Sequence, residues 1–236
     1  MLKEYLTNIA NAIRSKLGEA DKVNAQDFAD KIAEVYDKGD YRASYRFLTN
    51  GFPTPYYIPE GVPFICNSCF KNRWSIRQVY CTSTIRYIEN NAFEGASNLT
   101  LIEIAGTITA IGVYAFYACT ALKTITLNEL KLNDVIGVTV FNGCKNLTNF
   151  TVKNGSIDKS LTFAQSPLSI ASMKNIITHL TNYTGTDSEA TQTLTFTSAC
   201  WTNLEASTSP YEDGLTDSEN LTWKDYIQTS LGWLVA

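Results

Sequence analysis

Residues 111 to 127 read "IGVYAFYACTALKTITL", and the interpretation of these 17 residues decides the fold. The last six, "LKTITL", alternate apolar and polar side chains with β-branched residues enriched, the signature of a short, half-buried strand. The preceding "AFYAC" has no strand period and reads as a turn or short helical arc with Phe116 pointing inward.

The same pattern recurs. "ICNSCFKNRWSIRQVYC" from Ile65, "IENNAFEGASNLTLIEI" from Ile88 and "IGVTVFNGCKNLTNFTV" from Ile136 align with it, the four starts being 23, 23 and 25 residues apart. The first column is Ile throughout and the sixth is Phe throughout, as Phe70, Phe93, Phe116 and Phe141. Three further columns are apolar: Ile76, Leu99, Leu122 and Leu147; Val79, Ile102, Ile125 and Phe150; Cys81, Ile104, Leu127 and Val152. No single repeat of this size can bury its apolar face alone, so the repeats must stack. The expected fold is α+β: a short solenoid of about four repeats with a parallel sheet and a ladder of Phe rings.

The register also accounts for the cysteines. Cys66 and Cys69 have Cys-x-x-Cys spacing, but Cys69 stands opposite Ala92, Ala115 and Val140, and Cys66 opposite Glu89, Gly112 and Gly137. Cys119 and Cys144 share a column with Ala96, and Cys81 replaces Ile, Leu or Val. Free cysteine behaves as a small hydrophobe. No second Cys pair or His pair completes a zinc site, so no metal and no cofactor is expected. Stacked Cys119 and Cys144 lie within conceivable disulfide reach, yet an intracellular history would leave them reduced.

Outside the repeats, Leu2, Leu6, Ile9, Ile13 and Leu17 fall at helical spacing. A second helix is bounded by Asn24 as N-cap and Gly39 as stop. These form an N-terminal helical segment over 1–39. Residues 40–62 hold three of the six prolines and read as a linker with a degenerate entry repeat, since Phe47 and Ile58 precede Phe70 and Cys81 by 23 residues. The solenoid occupies 63–153. An α/β C-terminal cap over 154–236 is read as a helix in "SPLSIASMKNIITHLTNY", a strand in "TQTLTFTSACW", and a helix in "TDSENLTWKDYIQTSLGW" opened by a capping box of Thr216 and Glu219.

Composition narrows function. The net charge of −4 argues against a general nucleic-acid binder. Charge is uneven: Lys and Arg outnumber Asp and Glu 8 to 5 in 63–153 but are outnumbered 9 to 3 in 154–236. No apolar run reaches the length of a membrane span, and "MLKEYLTNIANAIRSK" carries charges where a signal peptide needs apolar residues. A soluble protein without the usual export signal is expected.

No P-loop, nucleophile elbow or His-Glu-x-x-His motif is present, and the single His179 falls on an amphipathic helix where packing is the simpler role. The acidic C-terminal third, with Glu212 and Asp213, leaves a glycosidase pair conceivable, but a non-enzymatic protein is the expectation. The Asn-x-Thr sequons at Asn98, Asn146, Asn182 and Asn220 read as structural, two of them being the repeat's own turn.

If the sheet is the recognition face, its outward residues are Gln78, Tyr80, Leu101, Glu103, Thr124, Thr126, Asn149 and Thr151. At the start of the solenoid Lys71, Arg73, Trp74, Arg77, Tyr80, Arg86 and Tyr87 mix cations with aromatics, a set suited to stacking on sugars and holding acidic groups.

The pattern I-G-x-x-A-F-x-x-C-x-x-L-x-x-I-x-L, nearly intact at 111–127 and recurring at 65–81, 88–104 and 136–152, resembles the BspA-type leucine-rich repeat. That family is typical of bacterial surface adhesins and recognition proteins and of phage or prophage structural genes. The opening "LTNIANAIRSKLG" with "VNAQDFADKI" and the ending "LTWKDYIQTSLGWLVA" are similar to segments of phage tail-associated proteins. The resemblance implies a virion-associated or surface-located protein. A host cell-surface glycan or protein would be the ligand of the repeats, and the N-terminal helices would bind other assembly proteins. A surface adhesin and a glycan-degrading enzyme are the alternatives.

Overall fold

Period-2 alternation commits each repeat to a strand with one buried face, and 23-residue spacing brings equivalent strands side by side. The computed structural model describes residues 55–58, 60–131, 139–184, 192–210, 212–216 and 219–236. All fall in the unit from Gly51 to Ala236. The helical segment expected over 1–39, and Phe47, lie outside the described residues.

Five parallel strands form the principal sheet: β1 (Tyr56–Ile58), β3 (Gln78–Cys81), β5 (Leu101–Ile108), β7 (Thr124–Lys131) and β8 (Asn149–Ser156), in that spatial order. Register follows the sequence columns. Tyr56 pairs with Val79, Val79 with Ile102, Ile102 with Ile125, and Ile125 with Phe150; Ile58, Cys81, Ile104, Leu127 and Val152 form a second row. All ten are buried. The entry strand β1 thus carries the repeat back one turn, with Ile58 opposite Cys81.

Two features exceed the sequence reading. Strands β5 and β7 run eight residues, twice the length of β3, with a register shift between Ile104 and Thr107. Gly106 sits in that irregularity, where a Cβ would lie 2.1 Å from the Ile85 carbonyl oxygen, so only glycine lets the chains approach. Thr107 there donates to the Glu129 carboxylate at 2.5 Å. A second parallel sheet joins β2 (Phe64–Ile65), β4 (Tyr87–Ile88) and β6 (Ala110–Ile111), which uses the Ile column as its inward row.

The Phe column stacks as expected. Ring centroids of Phe70, Phe93 and Phe116 are 4.9 and 5.3 Å apart and nearly parallel; Phe141 follows at 5.8 Å and Phe163 at a further 5.0 Å. Tyr56 closes the stack edge-on against Phe70. The turns bearing the rings are joined by backbone bonds such as Phe70 N–H to Ala92 O and Phe93 N–H to Ala115 O, both 2.7 Å. Three turns use left-handed backbone twice, at Ser68 and Asn72, Asn91 and Gly95, and Tyr114 and Ala118, and the fourth uses it at Gly143.

Beyond the repeats, β9 (Leu161–Thr162), β10 (Thr193–Thr195) and β11 (Leu234–Val235) make a third parallel sheet. Helix α1 (Ile170–Thr178), capped by Ser169, packs on β8 and closes the principal sheet. Ser172 accepts the Phe150 N–H at 3.0 Å. The Asn175 carboxamide accepts from Val152 N at 2.8 Å and donates to Val152 O at 3.0 Å. Two side chains replace a missing strand, satisfying an edge that would otherwise pair with another chain.

Two elements correct the sequence reading. The strand expected over "TQTLTFTSACW" ends at Thr195, and Ser198–Glu205 is a helix, α2. Thr197 accepts the Cys200 N–H as N-cap, and the helix buries Cys200, Trp201 and Leu204. The final helix opens at Thr222 rather than Thr216: Thr222 and Asp225 form the capping box, and α3 (Trp223–Asp225) continues into a π-helical turn over Tyr226–Ser230. Glu205 accepts from Trp223 N and Lys224 N at 2.9 and 3.0 Å, satisfying two helix-terminal donors.

Candidate recognition surface

Side chains that alternate with the buried rows project from the other face of the principal sheet. Pairing aligns Gln78, Leu101, Thr124 and Asn149 in one row and Tyr80, Glu103, Thr126 and Thr151 in the next. Glu103 and Asn149 are exposed and the other six are half-buried. Tyr57, on a strand that reads as linker in the sequence, extends the second row, stacking on Tyr80 at 5.2 Å and 19°. Five strands at about 4.8 Å spacing make a platform roughly 19 Å across. One carboxylate, that of Glu103, is its only charge within the two rows.

The cation–aromatic set divides between elements. Lys71, Arg73, Trp74 and Arg77 lie in the turn before β3, where Trp74 is 72% exposed. Lys71 is paired with Glu94 at 2.8 Å. Arg77 is exposed, and its carbonyl accepts from the Thr100 backbone and hydroxyl at 2.7 and 2.9 Å. Arg86 and Tyr87 leave with β4, in the other sheet, and the Arg86 guanidinium donates to Ser83 O at 3.0 Å.

Other residues singled out in the sequence have structural places. Asn98 and Asn146 donate their amides to the carbonyls of Trp74 and Thr120, one repeat back, at 2.8 and 2.7 Å. His179 caps α1, its Nδ1 2.7 Å from Asn175 O. Glu212 accepts from Ser209 N at 2.6 Å. Asp213 pairs with Lys174 at 2.5 Å and accepts from Thr208. Burial works to raise the Asp213 pKa, but the hydrogen bonds from Lys174 and Thr208 and the Lys174 charge carry it below the usual carboxylate range. Glu129 is likewise held low, first by its hydrogen bond from Lys131 and then by that from Thr107.

All six cysteines are buried free thiols. Cys119 Sγ donates to Phe93 O at 3.0 Å and Cys144 Sγ to Phe116 O at 3.1 Å. Ser166 continues the series by donating to Cys144 O at 3.2 Å, and Cys200 Sγ reaches Ser166 O. Burial pushes the Cys144 thiol up to about 12 and raises Cys81 and Cys119 strongly.

Stacked parallel strands, an inward aromatic ladder and a polar outward face define a leucine-rich-repeat solenoid. The chain belongs to the BspA type leucine rich repeat region family, whose model matches residues 63–192 in six copies. No curated protein and no solved structure matches the chain. Among the described residues no helix is long and apolar enough to cross a membrane.

Proposed function

We propose that the chain is a non-enzymatic recognition protein of a phage or prophage particle, whose principal sheet contacts a glycan or protein on the host surface and whose N-terminal segment attaches it to the assembly. The observation that carries this reading is the pair of outward rows crossing β3, β5, β7 and β8, with Tyr57 and Tyr80 stacked at one end. Hydroxyls, amides and one carboxylate sit at fixed spacing on a hydrogen-bonded sheet. Their ordering cost is met when the protein folds rather than when the ligand binds. Membership of the BspA-type family supports a binding role, and the likeness of both ends to phage tail-associated segments supports the particle.

The test is immunoblotting of purified virions and cell fractions from the source organism before and after phage induction. The expected result is enrichment in virions. An envelope signal independent of induction overturns the particle assignment and favours a surface adhesin, and release of reducing ends from polysaccharides overturns the non-enzymatic one. Binding of purified protein to host envelopes should fall at least tenfold in Tyr80→Ala combined with Glu103→Ala.

A further inference from the structure

The third repeat departs from its neighbours on the turn side of the solenoid, away from the two outward rows. In the first two turns the paired left-handed positions are held by Asn or Gly except at Ser68: Asn91 stands at the first position, Asn72 and Gly95 at the second, and Gly143 holds the second position of the fourth turn. The third repeat puts Tyr114 at the first, with φ +58°, and Ala118 at the second, with φ +55°. A residue other than Gly or Asn in this region is strained, and such strain clusters at functional sites, held there by the surrounding structure. The core does not require it, because the Tyr114 ring is 41% exposed.

What the backbone presents is a small aromatic cluster. Tyr114 and Tyr117 meet edge to face at 5.3 Å and 87°, and Val113 and Tyr117 are 44% and 37% exposed. Neither phenolic hydroxyl has a hydrogen-bond partner among the described residues. Adjacent turns supply polar groups on both sides. Gly95 N–H donates to Tyr117 O and Ala118 N–H to Asn142 O, each 2.8 Å, which sets Glu94 and Asn142 in the turns flanking Tyr117; Asn91 N–H donates to Val113 O at 2.9 Å. The side-chain amides of Asn91 and Asn142 have no partner among the described residues. The charge of Glu94 is neutralised by Lys71.

We propose that this cluster is a second binding site, for a neutral oligosaccharide. The crossed phenol rings offer a face and an edge to the C–H surface of a pyranose. Free amides, phenols and the Glu94 carboxylate supply donors and acceptors for its hydroxyls. The balanced charge disfavours an anionic or cationic ligand, and three exposed side chains are too few for the apolar centre of a stable protein interface.

The inference does not rest on the sheet-face reading, and the test separates the two. The full chain is titrated with chitotetraose, maltotetraose and cellotetraose by calorimetry and by saturation-transfer NMR, alongside Tyr114→Asn, Tyr117→Ala and, as a sheet-face control, Tyr80→Ala. At least one tetrasaccharide binds, and Tyr114→Asn and Tyr117→Ala each weaken it tenfold or more, both in the parent and on a Tyr80→Ala background. Because Asn suits the left-handed backbone, Tyr114→Asn also melts at a higher temperature than the parent, so its loss of binding is not misfolding. Failure of all three sugars, binding that survives both tyrosine substitutions, or a lower melting temperature for Tyr114→Asn overturns the proposal. Self-association abolished by Tyr114→Asn without sugar binding also overturns it and assigns the cluster to a second copy of the chain.

Discussion

Removing one ring from the middle of the Phe stack tests the energetic logic of the solenoid. Phe93 is fully buried between Phe70 and Phe116, with interplanar angles of 2° and 5°. Its turn is anchored independently of the ring by the Phe70 N–H to Ala92 O and Phe93 N–H to Ala115 O bonds and by left-handed Asn91 and Gly95. The walls of a cavity left by Phe93→Ala therefore have little freedom to close, which places the loss near the top of the range for such substitutions, about 4–5 kcal/mol. For a folded unit of this size each kcal/mol lowers the melting temperature by roughly 2–4 °C, giving a drop of about 8–20 °C.

Denaturant unfolding followed by circular dichroism and by tryptophan fluorescence is the assay. Trp201, Trp223 and Trp233 are buried in the C-terminal part, far in sequence from the altered turn. Both signals should move to the same lower midpoint with an unchanged slope. A loss below about 2 kcal/mol would refute the rigid-wall reasoning. A fluorescence transition that stays at the parental midpoint while the dichroism shifts would refute coupling along the stack.

Asn175→Ala leaves the Val152 N–H and carbonyl at the sheet edge without partners and should cost about 1–3 kcal/mol, read by the same unfolding assay, while Asn175→Asp retains an acceptor for the N–H and should cost less. Because the Asp213 pKa lies below its unfolded value, the stability it contributes is present above the unfolded pKa and lost as pH falls through the folded one; Asp213→Asn should flatten this part of the acid limb of a melting-temperature profile below about pH 4. Ellman's reagent should find no reactive thiol in the native protein at pH 8 and six in denaturant, and fewer than six under non-oxidising isolation would contradict the reduced state.

Legibility in the sequence tracked side-chain periodicity. The inward columns of β3, β5, β7 and β8, the Phe ladder and the two outward rows were readable because each depends on spacing alone. The sheet of β2, β4 and β6 was not, since strands of two residues carry no period. The extensions of β5 and β7 were missed because "AGTI" and "NELK" interrupt the alternation, and pairing with neighbours holds them extended. Phe163 continues the ring stack 22 residues after Phe141, but Ser166 rather than Cys follows it, so the repeat motif is disguised. Helix α2 was hidden by Cys, Trp and Thr, residues at home in strands, and betrayed only by the Thr197 cap. The cation–aromatic set looked continuous because sequence proximity cannot tell which sheet receives Tyr80 and which receives Tyr87.

The side-chain closure of β8 by Ser172 and Asn175 also bears on how such a molecule changes over generations. Termination of the principal sheet is written into one helix, and β3, β5 and β7 each pair only with the strand on either side. Duplicating an internal 23-residue block such as 88–110 would widen the platform by one strand, about 4.8 Å, while leaving both end structures intact. A lineage could thus enlarge its contact area by unequal recombination between repeats, without a new closing element having to arise.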